Sequence, residues 1–300
     1  MSAVAPGLIS AALLPLALAA GAAFAETAGP RFPTTEFEEG AKGAAVTVGD
    51  VTAGISMVRR PKIDPDFDVP VLTVLVADRP VIEVVGVASG FDFPEAEASI
   101  AEIDPNNVRP EVYFTSFSGG MHCCTQVVVA TQVGDTWAAV PVGAFDGDGD
   151  FLNDLNADGI AEIVTVDNRF LYEFDCYACS AAPLQVLTVR RGKLVDTSGE
   201  MQFMPAHREW LRQMEANISA DQRWTSRGFL AGWVAAKARV GEGVGAWDQL
   251  NAEWDHASDE GEEICLTGGA VEDCPRRQRA VLKFPERVKL FMEQNGYPLT

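Results

Sequence analysis

The chain has 300 residues, enough for about two ordinary domains. Hydrophobic residues make up 47% of it and charged residues 22%, which excludes wholesale disorder, a collagen-like fibre and a bundle of membrane spans. The 43 acidic residues outnumber the 23 basic ones and give a formal net charge of −20, so we expect no nucleic-acid partner, because phosphate backbones would be repelled.

Residues 1–25 predict a signal peptide. Residues 2–25 contain no charged side chain, and this apolar stretch ends on Ala23-Phe24-Ala25, an A-x-A cleavage signal. An uncleaved anchor is the alternative, since about 20 apolar residues can cross a bilayer. Pro6 and Pro15 make that alternative the poorer one. We therefore expect cleavage after Ala25, a secreted or periplasmic location, and no stable membrane span in the mature chain.

Residues 26–200 predict a β-rich region. Five runs are rich in Val, Ile, Thr and aromatic residues and are separated by turn residues, as is typical of strands. These runs are Pro70–Val76, Val81–Val87, Glu111–Ser116, Gln126–Gln132 and Ile163–Val166.

Residues 201–300 predict a small helical region. We expect helices over Pro205–Ile218 and Pro285–Asn295, and a helix between them that opens at Ser219–Gln222, which has the S-x-x-Q form of a capping box. An apolar stripe on that middle helix and five of the six tryptophans indicate a small core rather than a ligand platform. The stripe is Phe229, Trp233, Ala236 and Val240.

A faint internal repeat runs through the β-rich region. The segments Asp104–Val112 and Asp154–Ile163 each carry an Asp-x-Asn loop that leads into a Glu at the start of a strand. A period of about 50 residues is typical of propeller blades or stacked β-repeats. The region holds three or four such units, so we predict an α+β protein: open propeller-like or sandwich-like antiparallel sheets, followed by the helical part.

The second of these loops predicts a calcium site. Oxygen ligands stand at positions 1, 3, 5, 7 and 9, and Gly159 occupies position 6, where the loop must turn sharply. Thr165 stands at position 12 in place of the bidentate Glu of an EF-hand. A solvated turn without an ion is the alternative. The predicted ligands are Asp154, Asn156, Asp158, the backbone carbonyl of Ile160, and Glu162.

The pattern D-x-N-x-D-G-x-x-E before a strand resembles the calcium loops of FG-GAP and VCBS repeats, the type found in integrin α-chain propellers. The resemblance implies a structural Ca²⁺ that holds a loop between strands, while other loops bind a partner. In addition, the run G-G-M-H-C-C followed by D-N-R-F-L-Y-x-F resembles a group of exported bacterial proteins of unassigned activity, which implies export and gives no reaction.

An acidic run lies just before the loop. Asp146, Asp148 and Asp150 have D-x-D-x-D spacing and predict a possible second metal site. Phe151 stands where the turn-making glycine should be, so a solvated acidic loop is the alternative.

The six cysteines are even in number, and all follow residue 25. In an oxidising compartment they predict disulfides, with one or two bonds from the Cys123/Cys124 pair to the Cys176/Cys179 pair and a local bond between Cys265 and Cys274. Two alternatives stay open. His122 with the four nearby thiols could bind zinc or copper, and the C-x-x-C segment 176–179 could be a redox pair.

No recognisable catalytic set is present in the sequence, which lacks G-x-S-x-G, H-E-x-x-H, a P-loop and G-x-G-x-x-G. We therefore predict no catalytic residue and expect a non-catalytic exported module that binds a protein or glycan. The alternative is a calcium-dependent envelope hydrolase that uses the acidic loop 146–162. A weaker alternative is thiol or metal handling through His122, Cys123, Cys124, Cys176 and Cys179.

Overall fold

The computed structural model describes residues 32–37, 40–91, 95–120, 124–297 and 299. The predicted signal peptide, His122 and Cys123 lie outside these residues. Within the described residues, no helix is long and apolar enough to cross a membrane.

Fifteen strands and four α-helices are present in the described chain. The strands are β1 (Thr34–Glu36), β2 (Ala44–Val48), β3 (Val51–Arg59), β4 (Asp68–Val76), β5 (Arg79–Val85), β6 (Ala96–Ala101), β7 (Glu111–Phe117), β8 (Thr125–Val133), β9 (Thr136–Phe145), β10 (Leu152–Asn153), β11 (Glu162–Val166), β12 (Leu184–Arg190), β13 (Lys193–Asp196), β14 (Glu262–Cys265) and β15 (Arg279–Leu282). The helices are α1 (Met204–Asn217), α2 (Arg227–Arg239), α3 (Gly243–Glu253) and α4 (Phe284–Gln294).

Three antiparallel sheets follow one another along the chain. The first sheet has the order β2-β3-β4-β5, the middle sheet β1-β6-β7-β8-β9, and the third sheet β10-β11-β12-β13. Strands β14 and β15 form a separate hairpin. Each of the three sheets thus contains a meander, in which four consecutive strands pair with their neighbours in sequence.

The middle sheet is buried on both faces. Along β7, Val112 and Phe114 pack into one core with strands of the first sheet, whereas Tyr113 between them packs into a second core with the third sheet. Successive side chains of a strand point to opposite faces, so the three sheets are stacked face to face. This open stack of antiparallel sheets, followed by helices, confirms the predicted fold class.

The helices cover the outer face of the third sheet. Val164, Leu184 and Val186 share a core with all four helices. Helix α2 lies at its centre, and every residue from Gly228 to Ala236 is buried, so the predicted stripe is one side of a helix that is enclosed all round. A Cβ on Gly228 would lie 2.4 Å from the carbonyl oxygen of Cys179, so glycine is what lets α2 approach that segment.

Four of the five predicted strands are confirmed as parts of β4, β7, β8 and β11, and Val81–Val87 overlaps β5 but extends two residues beyond it. The first and last predicted helices are confirmed as α1 and α4. The predicted capping box is wrong. The Ser219 hydroxyl donates to the Gln222 side chain within a turn, and α2 begins at Arg227 with the Ser226 hydroxyl accepting from the Phe229 N–H. Helix α3 and the β14–β15 hairpin were not predicted.

The tryptophans anchor the helical core, as predicted. The indole N–H of Trp210 donates to the carbonyl of Ala182 at 2.9 Å, and that of Trp247 donates to the carbonyl of Pro285 at 3.1 Å. These side chains therefore combine buried apolar area with a satisfied polar group.

Burial of His207 predicts a stability that depends on pH. The side chain is 2% exposed, and a ring N–H donates to the carbonyl of Ser198 at 2.7 Å. Burial, together with the nearby charge of Arg239, lowers its pKa below the ordinary 6.5. The unfolded chain then binds more protons than the folded one below pH 6.5, so stability should fall as the pH falls through that value. His207→Gln should weaken this fall in the melting temperature, measured by calorimetry between pH 7.5 and 5.

The matched control is His256→Gln, at an exposed histidine whose ring also meets a backbone carbonyl. It should retain the parent's pH profile. Equal profiles for the parent and His207→Gln would contradict the assignment.

Candidate functional site: two acidic loops

The loop that joins β10 to β11 folds around its own carboxylates. Ala157 and Gly159 have positive φ angles of 59° and 87°, which turn the chain sharply where the sequence predicts a turn. The Asp154 carboxylate accepts the N–H groups of Asp158 at 3.0 Å and Gly159 at 2.9 Å. The Asp158 carboxylate accepts the Ile160 N–H at 2.9 Å. Backbone donors thus hold the two aspartates inside the loop.

Glu162 is the buried acid of this loop. It is the first residue of β11, is 3% exposed, and accepts the Leu155 N–H at 3.0 Å. Burial raises its pKa to about 7, and the charges of Asp158 and Asp154 add to this effect. Within the described part of the chain, no Lys or Arg forms an ion pair with any of these three acids. Within the described residues, no direct ion pair therefore neutralises the negative charge of this loop.

In the equivalent loop of the middle sheet, between β6 and β7, hydrogen-bond donors of the protein stabilise the buried carboxylate. Glu111 is the first residue of β7 and is fully buried. Its carboxylate accepts four hydrogen bonds, two from backbone and two from side chains. The donors are Ile103 N and Asp104 N at 2.8 Å each, Asn107 Nδ2 at 2.6 Å and Thr131 Oγ1 at 2.9 Å. These donors favour the ionised form of Glu111 without a counter-ion, although burial outweighs them and leaves its pKa above the ordinary value.

The stacking of the sheets places these two loops side by side. The Ala161 N–H donates to the carbonyl of Glu102 at 2.7 Å, and the Gly192 N–H donates to the Asp104 carboxylate at 3.0 Å. A small polar cavity of about 50 Å³ lies between them. Its lining residues are Pro105, Asp158, Ile160, Glu162, Thr188, Arg190, Thr197, Gln202 and Phe203.

The sequence did not single out two members of this site. Glu102 begins the β6–β7 loop, its carbonyl accepts the Ala161 N–H, and burial followed by the charges of Glu111 and Asp104 raises its pKa. Arg190 lines the cavity and forms an ion pair with Glu200 at 2.7 Å. The position of Glu102 two residues before Asp104 was a weak signal, whereas Arg190 comes from another strand and depends on the fold.

The predicted calcium ligands lie on one loop, but their carboxylates are not drawn together. Across the described residues, only Asp175, Cys176 and Cys179 bring three potential His, Cys, Asp or Glu ligand atoms within 4.8 Å of one another. Asp154, Asp158 and Glu162 supply hard oxygen donors that suit Ca²⁺. Closing a shell around an ion would require them to move closer.

The acidic run 146–150 makes different contacts. The Asp146 carboxylate accepts the hydroxyl of Tyr177 at 2.6 Å, and the carbonyl of Gly149 accepts that of Tyr113 at 2.8 Å. Asp148 and Asp150 lie near Glu97, whose pKa is raised by burial and by neighbouring carboxylates. Within the described residues, this run thus contacts Tyr177, Tyr113 and Glu97 rather than the 154–162 loop.

The disulfides correct part of the predicted pairing. Cys265 is bonded to Cys274, but Cys176 is bonded to Cys179 rather than to the Cys123/Cys124 pair. A tight turn brings Cys176 and Cys179 to a Cα separation of 5.0 Å, within the range that a disulfide needs. Cys124 is buried before β8. The bond engages both sulfurs of the C-x-x-C segment, which the alternative metal site would need as free thiolates. His122 and Cys123 of that site lie outside the described residues.

Comparison with known proteins identifies relatives. A family model described as the sll0997 C-terminal domain matches residues 207–296, which contain most of the helical part. The "Probable thylakoid lumen protein sll0997" of Synechocystis sp. is 36% identical over 256 residues, covering 84% of this chain and 75% of that protein. The "Uncharacterized protein y4bJ" of Sinorhizobium fredii is 31% identical over 231 residues, covering 76% of this chain and 37% of that protein. No solved structure matches the chain.

These findings bear on the predicted resemblances. They do not show an FG-GAP or VCBS repeat, so that resemblance stays a prediction based on the loop pattern. A lumenal relative of this extent confirms the prediction of an exported protein. The chain belongs to the sll0997 family.

Proposed function

We propose that this protein is a non-catalytic, calcium-stabilised binding module of an exported compartment. Its two acidic loops, the β6–β7 loop at Asp104 and the β10–β11 loop at Asp154, form part of the surface that meets a protein or glycan partner. The observation that carries the proposal is Glu162, a buried carboxylate beside two more acids with a single hydrogen bond from another described residue and no basic partner among them. A divalent cation is the simplest group that balances such a charge.

The residues of the loop fit a calcium ion in their chemistry. Asp154, Asn156, Asp158, the carbonyl of Ile160 and Glu162 would hold it, all through hard oxygen atoms. The carboxylate oxygens that accept backbone N–H groups retain further lone pairs for a cation. The ion would neutralise repulsion within the loop, and its binding would therefore be coupled to the stability of the fold.

The contrast with the first loop supports this assignment. Glu111 is equally buried but receives four protein hydrogen bonds, so the loop at Asp104 has no comparable need for a cation. The same repeat thus occurs once with protein donors and once with an unbalanced charge. A calcium ion is proposed for the second loop alone.

The size of the cavity favours binding over catalysis. A perturbed acid beside a cleft is what the hydrolase alternative requires, and Glu162 lines such a cleft. A cavity of about 50 Å³ is, however, far below the roughly 300 Å³ of pockets that enclose small ligands. Exposed residues of the β6–β7 loop, such as Asn106 and Val108, suit contact with a larger partner from outside.

The calcium proposal predicts a thermal shift. Saturating Ca²⁺, at about 100 times its dissociation constant, should stabilise the protein by about 2.7 kcal/mol and raise the melting temperature by about 5 °C relative to EDTA. Asp158→Ala should lose most of this difference. Asp221→Ala, at an exposed acid of a helix-connecting turn, is the matched control and should retain it. Titration calorimetry that detects no Ca²⁺ binding, with equal melting in Ca²⁺ and EDTA, would refute the proposal.

The two buried glutamates predict opposite responses to amidation. In EDTA at pH 8, Glu162→Gln should raise the melting temperature, because it removes a buried charge that is mostly present above the pKa of about 7. Glu111→Gln should lower the melting temperature and reduce the free energy of unfolding by about 2 kcal/mol or more, because the new NH₂ group would face hydrogen-bond donors on either side. In Ca²⁺, Glu162→Gln should instead melt at a lower temperature than the parent, since an amide is a weaker calcium ligand than a carboxylate. Two substitutions that destabilise equally in EDTA would show that Glu162 is already balanced.

A further inference from the structure

We propose that the Cys176–Cys179 bond is a redox-exchangeable disulfide, which accepts two electrons from an external dithiol, rather than a structural staple. This inference is independent of the proposed function, since it concerns different residues. It starts from a contrast between the two disulfides of the described chain. Cys176 and Cys179 are both exposed, whereas Cys265 and Cys274 are only 8% and 5% exposed.

Accessibility decides which disulfide a thiolate can reach. Exchange begins when a thiolate attacks one sulfur of the bond, so the rate depends on the approach to that sulfur. Both cysteines of the 176–179 bond are exposed residues, while Cys265 and Cys274 are buried. The exposed bond is therefore the one that a protein dithiol can engage.

The exposed bond also contributes little as a staple. Its cysteines are three residues apart, against nine for Cys265 and Cys274. A shorter closed loop removes less conformational freedom from the unfolded chain, so its loss costs less stability. Exchange at this position is compatible with retention of the fold.

Other bonds hold the surrounding turn when the disulfide opens. The Cys179 N–H donates to the carbonyl of Cys176 at 3.0 Å, and the hydroxyl of Ser180 donates to the same carbonyl at 2.9 Å. The Ala181 N–H donates to the carbonyl of Gly228 on α2 at 3.2 Å. These contacts would keep the two thiols close together after reduction, and closeness favours re-formation of the bond.

The balanced exchange has two steps. A thiolate of the external dithiol attacks one of the two sulfurs, the Cys176–Cys179 bond breaks, and the released cysteine takes a proton from water. The second thiol of the reductant, deprotonated, then attacks the mixed disulfide and releases the other cysteine, which is protonated in turn. The protein gains two electrons and two protons, and the dithiol becomes a disulfide.

Asp175 sets the electrostatics of this exchange. A carboxylate oxygen of Asp175 lies within 4.8 Å of both sulfurs. Asp146 accepts the hydroxyl of Tyr177 from the same segment. These charges repel an approaching thiolate, so a partner dithiol that carries positive charge near its thiols suits the site better than an anionic one.

The first test compares the two disulfides within one molecule. The protein, oxidised and folded, is exposed to limiting dithiothreitol without denaturant, quenched with an alkylating agent at timed intervals, and digested with trypsin. Cys176 and Cys179 then lie together on peptide 170–190, Cys265 and Cys274 on peptide 240–276, and Cys123 and Cys124 on a third peptide. Labelling of peptide 170–190 should be at least about tenfold faster than that of peptide 240–276. Equal rates, or faster labelling of 240–276, would overturn the proposal.

The second test addresses Asp175 and the recovery of the bond. Asp175→Asn should speed labelling of peptide 170–190 about fourfold at low salt, from the loss of one charge at 4.8 Å in water, and leave peptide 240–276 unchanged. The reduced parent should remain folded by circular dichroism and re-form the 176–179 bond when oxidised glutathione is added. A reduced protein that unfolds while Cys265–Cys274 is still intact would show instead that the exposed bond is a staple.

Discussion

The buried glutamate that begins the second strand of a meander is the constraint on which the acidic site depends. Glu111 and Glu162 occupy this position in adjacent sheets, and each accepts backbone N–H groups from the loop before it. A buried carboxylate is costly unless its charge is compensated. The middle sheet provides Asn107 and Thr131 for this purpose, and the third sheet provides no such side chains from the described residues. The two equivalent carboxylates are therefore compensated differently, and this difference is the reason why we propose a cation for the loop at Asp154 alone.

The stack of sheets determines where these loops meet. Because the middle sheet is buried on both faces, its loop at Asp104 comes to lie against the third sheet, where Thr188 donates to the carbonyl of Ile103 at 3.1 Å. The acidic loop precedes β11, whereas the C-x-x-C segment lies between β11 and β12, at the other end of the same strands. The third sheet thus carries an acidic site at one end and a disulfide at the other, and its rigid strands keep the two chemistries apart.

The sequence predicted those features that depend on neighbouring residues. β-Branched runs predicted the strands, Gly159 predicted the turn, and the spacing of Asp and Glu predicted equivalent loops around Glu111 and Glu162. The capping box at Ser219 failed because its hydroxyl bonds the Gln222 side chain instead of a helix N–H, a choice that packing makes. Helix α3 begins with two glycines in its first three residues and gives little helical signal. Cysteine pairing and the place of Arg190 depend on contacts between distant segments, which one sequence does not reveal.

The segment that bears the exposed disulfide is also the junction between the β-rich and helical parts. The hydroxyl of Tyr297 donates to the Asp167 carboxylate at 2.7 Å, and Arg287 of α4 pairs with Glu173 at 2.8 Å. On α2, a Cβ at Gly232 would lie 2.1 Å from the carbonyl oxygen of Ala181. The helical part therefore fits closely around residues 167–182, before and after the two cysteines. Reduction of the Cys176–Cys179 disulfide would act on a segment that contacts both parts of the molecule. It would therefore affect the place where the helical part packs against the β-rich part.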